Sequence, residues 1–402
     1  MVDRGSESLN AALALVAPGR PLRAGLDRIL QAKRGALVVV GDDAAVLSIC
    51  TGGFLLDAEF SPQRLSELAK MDGAIILTPD ASRIARANVH LVPKASIPTT
   101  ETGTRHRTAE RVARSIEVPV ITVSESMASV AVYRGPRKHT LQRTGRLVDR
   151  ASQAVSAAHR FKGRFDVALA MLSTLEVEDT VAVRDVVAVL RPGEMVLRFA
   201  EEIEGYLVEL GEDGRLIRLQ IEELEAGVGD DLRLVVLDYV ALPPGTLPPG
   251  TRPPGGGPLK APSEGAPAVN GPHLDGRGAP GADGSRDERQ RRADEAVAAL
   301  RALHADELAD PGSIASTLGL GASPSVLDLG VEARGYRLLH RLPRLSNAIV
   351  DRIVDRFGTL PLIMQASLAE LEQVGGVGIA KARSVQDGLA RIIEASILER
   401  YE

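Results

Sequence analysis

The chain has 402 residues, long enough for two or three domains with cores of their own. It is 44% hydrophobic and 25% charged, with 3% aromatic residues, no Trp and a formal net charge of −5, so its cores must be Leu, Val, Ile and Ala and it offers no global basic field to nucleic acid. The single Cys50 excludes an internal disulfide and a cysteine zinc cluster, and apolar runs such as Ala36–Val40 are far too short to span a bilayer.

Residues 8–32 read as helices, with Leu9, Leu13 and Val16, then Leu22, Leu26, Ile29 and Leu30 at helical spacing. Short β-branched runs bounded by Gly, Asp and Pro follow at 36–40, 46–50, 73–77, 89–92, 118–123 and 130–133, and these predict strands. Cys50 is expected as a buried strand thiol. Helical stretches at 62–71 and 108–116 lie between the strands. Alternating strands and helices predict an α/β domain over about 1–145, a mixed twisted sheet flanked by helices. From Leu147 to Tyr239 the pattern becomes long amphipathic helices. Residues 241–285 hold 22 Pro or Gly out of 45 and no periodicity. Such a stretch cannot bury enough apolar surface to offset chain entropy, so a disordered linker is expected at about 241–287. A helix resumes at 288–304. The predicted organisation is therefore multidomain: the α/β domain, an all-α helical spine over 146–323 interrupted by the linker, and an all-α C-terminal domain over 324–402.

In that last segment, 345–357 reads as a helix stopped by Gly358. Ser367 and Glu370 form a capping box. Val374-Gly375-Gly376-Val377-Gly378 then makes a Gly-rich turn into a final helix carrying Lys381 and Arg383. An isolated Gly-x-Gly is a plain interhelical turn. With Lys381 and Arg383 beside it, the segment from Gly375 to Arg383 reads as a hairpin whose backbone N–H groups approach a DNA phosphate. An earlier candidate hairpin, Leu342-Pro343-Arg344-Leu345-Ser346, lacks paired glycines and reads as degenerate. Residues 331–402 hold 10 Lys plus Arg against 9 Asp plus Glu, too small an excess for tight duplex binding by charge alone. Shape recognition of branched or bent DNA, which the family resemblance of this chain implies, is the better fit.

Chemistry concentrates in two segments about thirty residues apart. Asp72-Gly73-Ala74 opens the apolar run Ile75-Ile76-Leu77, and Thr102-Gly103-Thr104-Arg105-His106-Arg107-Thr108 sits at a helix start. Alone, Asp-Gly is a turn and Arg-His-Arg a solvated charged face. Together they place a carboxylate beside cations, hydroxyls and free backbone N–H groups, which is equipment for nucleotide phosphates. Neither a P-loop nor a strand-linked G-x-G-x-x-G is present.

The pair, DGA before a strand and TGTRHRTAER after it, resembles the diadenylate cyclase domain, and the whole chain outside the linker resembles the bacterial DNA integrity scanning family. That resemblance implies condensation of two ATP into cyclic di-3′,5′-AMP with loss of two pyrophosphates, across facing sites of a homo-octamer. It implies Asp72 as the essential carboxylate and ligand of Mg²⁺ or Mn²⁺. It makes Arg105 and His106 catalytic and assigns Thr104, Arg105, His106, Arg107 and Thr108 to the phosphates. Gly73 and Leu91 would touch the nucleotide largely through backbone, and Ser124 and Glu125 would close the phosphate pocket. It also implies a C-terminal helix-hairpin-helix domain that regulates synthesis on binding junction DNA. His90 and His139 read as surface or structural. A competing reading is a non-catalytic DNA-binding scaffold whose first domain only binds ATP or the cyclic product. A general nucleotidyltransferase would need a second acid, for which Asp80 is the nearest forward candidate. Acids near the N-terminus and no cleavable apolar region there read as a cytoplasmic protein without a membrane partner.

Overall fold

The computed structural model describes residues 4–242 and 282–399. The chain forms two compact units, residues 1–156 with 200–222, and 157–199 with 223–402.

The first unit opens with α1 (Arg4–Leu15) and α2 (Pro21–Gln31), then β1 (Ala36–Val40), α3 (Ala44–Ser48), β2 (Cys50–Thr51), β3 (Phe54–Glu59), α4 (Pro62–Leu68), β4 (Ala74–Leu77) and β5 (Arg83–Leu91). It continues with α5 (Thr104–Ile116), β6 (Val120–Ser124), β7 (Ser129–Arg134) and β8 (Arg137–Thr140). The strands make one mixed sheet in the order β2-β5-β4-β1-β6-β7-β8, with β3 also paired to β5. β1 and β4 are parallel, and β6 runs antiparallel to β1. Both are buried on both sides, which explains their unbroken apolar sequences. One face, with Val38, Val40, Ile75, Ile121 and Val132, packs on Leu13 of α1, Leu26 and Ile29 of α2 and Leu65 of α4. The other, with Leu37, Val39, Ile76, Val120 and Tyr133, packs on Ala109, Val112 and Ala113 of α5.

Three expectations change here. The run 46–50 is not a strand: Asp43 caps a short helix by accepting the N–H of Val46 at 2.9 Å, and only Cys50–Thr51 pairs with β5. Two acids before two alanines favour that capped turn over an extended chain. Cys50 is half-buried, and its thiol donates to the carbonyl of Val46 at 3.2 Å. Burial pushes its pKa up, against the pull of Arg86. β3 and β8 had no sequence signal because both are largely exposed. α5 begins at Thr104 rather than near 108, so the Arg-His-Arg segment fills its first turn.

α6 (Thr144–Glu178) and α7 (Val183–Leu210) each contribute to both units, and α8 (Arg215–Glu225) belongs mainly to the first. The second unit adds α9 (Val228–Tyr239), α10 (Ala282–Ala302), α11 (Ala305–Ala309), α12 (Pro311–Thr317), α13 (Tyr336–His340), α14 (Asn347–Phe357), α15 (Leu360–Gln365), α16 (Leu368–Glu372) and α17 (Ile379–Glu399). One apolar core runs from Phe165 and Val196 through Val235 and Leu300 to Leu339, Ile353 and Val385. A buried polar clasp joins the end of α9 to the start of α13. Asp238 accepts the N–H groups of Gly335, Tyr336 and Arg337, while Arg334 donates to the carbonyls of Leu237, Asp238 and Val240. Residues 243–281, most of the expected linker, lie outside the described residues. The stretch expected to end that linker is helical from Ala282, ahead of ion pairs from Glu288 to Arg291 and Arg292.

Candidate active site and candidate DNA-binding hairpins

The sheet brings the predicted residues to one edge. Val38 of β1 lies opposite Ile75 of β4, so stepping back three residues sets Gly35 opposite Asp72. Ala36 lies opposite Val123 of β6, so one further step sets Gly35 opposite Ser124. Asp72, Gly35 and Ser124 thus form a row across the ends of three adjacent strands. Leu91 ends β5 at the same edge, where Val89 pairs with Ala74. Its side chain is buried in the core, so it cannot itself be a ligand contact. Gly73 has no room for a side chain, since a Cβ there would lie 2.5 Å from Cα of Asn88.

Arg105 reaches this row from α5 and donates through Nη2 to Asp72 Oδ1. Its guanidinium lies over Gly35: a Cβ on that glycine would stand 2.6 Å from Nη1. Gly35 carried no motif, and only the pairing of β1 with β4 and β6 reveals its role. Gly103 is the N-cap of α5 and makes no side-chain cap, and the first turn holds no acid. The N–H groups of Thr104, Arg105 and His106 therefore have no intrahelical partner, and they sit at the positive end of the helix dipole. Arg107 and Thr104 are exposed, and Thr108 is half-buried. Ser124 is buried, and its Oγ accepts the N–H of Met127 at 3.3 Å, closing the β6–β7 turn in which Glu125 lies exposed.

His106 turns its Nδ1 edge toward the sheet. Its Nδ1 lies 2.8 Å from the Tyr133 hydroxyl and 3.0 Å from Thr122 Oγ1. Burial lowers its pKa, and the cations Lys138 and Arg105 add to that against Glu101. The loop before α5 is tied to it by Glu110, which accepts from Thr99 Oγ1 and from the Thr100 N–H.

Asp72 is 94% exposed, and among the described residues no cluster of three potential metal ligands occurs. A single open carboxylate fits Mg²⁺ or Mn²⁺ whose other ligands are phosphate oxygens and water. Asp80 cannot assist. It lies beyond the far end of β4 and is spent within its own turn, accepting from Thr78 and Ser82, which hold its pKa down at about 2. His90 is exposed, and His139 is bonded to Glu209 at 2.7 Å.

In the second unit, the Gly-rich turn between α16 and α17 has Gly376 at φ +83. Lys381 and Ala382 donate their N–H groups to the carbonyl of Gly378. The turn between α13 and α14 repeats this: Arg344 holds φ +68 in the place of Gly376, and Ile349 and Val350 donate to the carbonyl of Ser346. The first hairpin is therefore degenerate in sequence but not in backbone form, because an arginine accepts the left-handed conformation that glycine takes in the second. Lys381 is committed to bracing its own turn through Nζ and the Gly376 carbonyl at 3.0 Å. Arg352 of α14 lies against the same turn, with Nη1 3.1 Å from a Cβ position on Gly376. Arg383 is exposed.

Two family models match. Residues 23–137 match the DisA bacterial checkpoint controller nucleotide-binding family, and 141–245 match the DisA bacterial checkpoint controller linker region. Over 402 residues the chain is 47% identical to the DNA integrity scanning protein DisA of Kineococcus radiotolerans, covering all of both chains. It is 45% identical to that of Frankia alni over 397 residues, covering 99% of this chain and 98% of the relative. For that of Streptomyces coelicolor the identity is 44% over 393 residues, covering 98% and 94%.

Proposed function

The chain belongs to the DisA family and is a diadenylate cyclase, and from that premise we propose that it condenses two ATP into cyclic di-3′,5′-AMP, releasing two pyrophosphates, across facing sites of an oligomer. One observation carries the assignment of the site: Arg105 held between Asp72 and the bare Gly35, at the uncapped start of α5. That arrangement suits a triphosphate. The free N–H groups and the side chains of Arg105, Arg107, Thr104 and Thr108 surround an anion with fixed donors. Ser124 closes the far side of the row. Asp72 would hold Mg²⁺ or Mn²⁺, which when bound lowers charge repulsion at the phosphates and the pKa of a coordinated hydroxyl. Arg105, shared between Asp72 and the phosphates, stabilises charge that develops as the 3′-hydroxyl of one nucleotide attacks the α-phosphate of the other.

One such site holds one ATP, so a second copy must face it. Val92 and Met127 flank the row at the same sheet edge and are 53% and 64% exposed, an apolar rim suited to a partner copy. A homo-octamer, as implied by the resemblance, would bring such faces together and hold the reactants in an oriented, nearly unimolecular arrangement. The 324–402 segment acts as a tandem helix-hairpin-helix domain for junction DNA, contacting phosphates through the turns at Arg344 and Gly375–Gly378 and lowering synthesis when occupied. We place the protein in the cytoplasm; among the described residues no helix is long and apolar enough to cross a membrane. The test is incubation of the purified chain with ATP and either metal, with Asp72→Asn alongside. Product from the wild type alone is expected. No product from folded, assembled protein would leave the non-catalytic scaffold as the account.

A further inference from the structure

Behind the phosphate cradle stands a chain of polar side chains to which no role has been given. Lys138 of β8 places Nζ 2.6 Å from Glu101 Oε1. Tyr133 of β7 donates its O–H to the same oxygen at 3.1 Å. The Tyr133 oxygen in turn lies 2.8 Å from Nδ1 of His106, and Thr122 Oγ1 lies 3.0 Å from that nitrogen. A phenol has one proton. With that proton spent on Glu101, the Tyr133 oxygen can only accept, so the donor between them is Nδ1–H of the imidazole. In the neutral ring this leaves Nε2 without a proton, carrying a lone pair. Cδ2, the carbon bonded to Nε2, lies 3.4 Å from where a Cβ on Gly103 would sit. That edge of the ring therefore faces the start of α5, where the phosphates are read to bind.

We propose that Tyr133 and Glu101, braced by Lys138, are positioning residues that hold His106 as the Nδ1–H tautomer and present Nε2 as a hydrogen-bond acceptor at the cradle. A lone pair there repels a phosphate oxygen and suits a hydroxyl, so the ring reads the ribose hydroxyl of a nucleotide while Arg105 and Arg107 read its phosphates. The surroundings agree. Burial first, then Lys138 and Arg105, keep the ring neutral against the attraction of Glu101. Glu101 stays ionised despite its burial because Lys138 and Tyr133 donate to it. Burial, then Glu101 and more weakly Glu110, keep the Tyr133 phenol protonated, with its pKa pushed far up.

The proposal rests on reading Arg105 to Arg107 as the nucleotide cradle, and its test separates the two. Solid-state ¹⁵N spectra of the full chain labelled at its seven histidines report each tautomer, with His106 assigned by His106→Gln. The wild type is expected to show Nδ1–H at His106. Tyr133→Phe should lose that preference and lower kcat on the order of tenfold to a hundredfold, with KM for ATP within about twofold. Glu101→Gln keeps an acceptor oxygen for Tyr133 and should keep the tautomer and most of the rate; Glu101→Ala should lose both. Persistence of the Nδ1–H form in Tyr133→Phe and Glu101→Ala overturns the proposal, as does a changed tautomer with unchanged kcat. Absence of cyclic product from the wild type would remove the cyclase reading instead, and the tautomer, measured without turnover, would still decide the network.

Discussion

Replacing Gly35 with Ala isolates the placement of Arg105 from the stability of the fold. The added Cβ would lie 2.6 Å from Arg105 Nη1, 3.2 Å from Cζ and 3.3 Å from the Val123 carbonyl oxygen. Ordinary contact begins near 3.4 Å, so the guanidinium must retreat by about 0.8 Å. Gly35 is not left-handed, so alanine brings no backbone strain there. The severe contacts are with the end of a flexible side chain, which moves at little cost to the fold, and the Val123 oxygen need give by only about 0.1 Å. Fewer unfolded conformations favour the variant by about 0.4–1 kcal/mol. Catalysis has no such latitude, because a displacement of about 1 Å in a positioning group costs on the order of a hundredfold. That corresponds to about 2.7 kcal/mol of transition-state stabilisation. Initial rates of cyclic di-AMP formation, read beside the thermal midpoint, test the argument. The expected result is a rate lower by about two orders of magnitude with the midpoint held or slightly raised. Adding Arg105→Ala to Gly35→Ala should cost little more than Arg105→Ala alone, because both act through one guanidinium. A rate within twofold of wild type would refute the reasoning, and so would a rate lost together with the midpoint.

Asp72→Asn should abolish synthesis and leave the melting temperature nearly unchanged, since its pairing among the described residues is an exposed one with Arg105; normal turnover would remove Asp72 from the reaction. His106 is a base whose folded pKa lies below the ordinary 6.5, so its neutral form favours the fold above that value and the benefit is lost as pH falls through the lower, folded pKa. The acid limb of the rate profile should therefore sit below pH 6.5 and move upward in Lys138→Met, which removes a neighbouring cation; an unmoved limb would detach His106 from it. Arg344→Gly should relieve a left-handed arginine and stabilise the chain by up to about 1 kcal/mol while weakening junction-DNA binding; equal binding would remove the first hairpin from the DNA surface. Gly378 has open space around it, so Gly378→Leu should fold normally, obstruct DNA and leave basal synthesis intact, as mobility shifts with a four-way junction and cyclase rates would show.

Much of this protein is written locally and is legible without coordinates. Val38, Val39 and Val40 fill an interior strand, and the helical spacing of Leu22, Leu26 and Ile29 marks one buried face. The capping box at Ser367 and Glu370 forms as its spacing requires. Asp72 and the Arg105 to Arg107 segment announce themselves because their chemistry is compressed into neighbouring positions. Gly35, Tyr133, Glu101 and Lys138 do not. Their importance depends on which strand lies beside which, and register is set by long-range packing that no local period encodes. The left-handed turn at Arg344 is hidden for the opposite reason: its sequence argues against a conformation that the flanking helices impose. Residue types and spacings thus determined the α/β domain, the helices after it and the cationic segment at the start of α5 that we propose binds phosphates. The tertiary structure alone decided that Gly35 leaves room for Arg105 and that Tyr133 stands between His106 and Glu101, because Gly35 and Arg105, like Tyr133 and His106, are distant in the sequence and become neighbours only when the sheet and α5 pack.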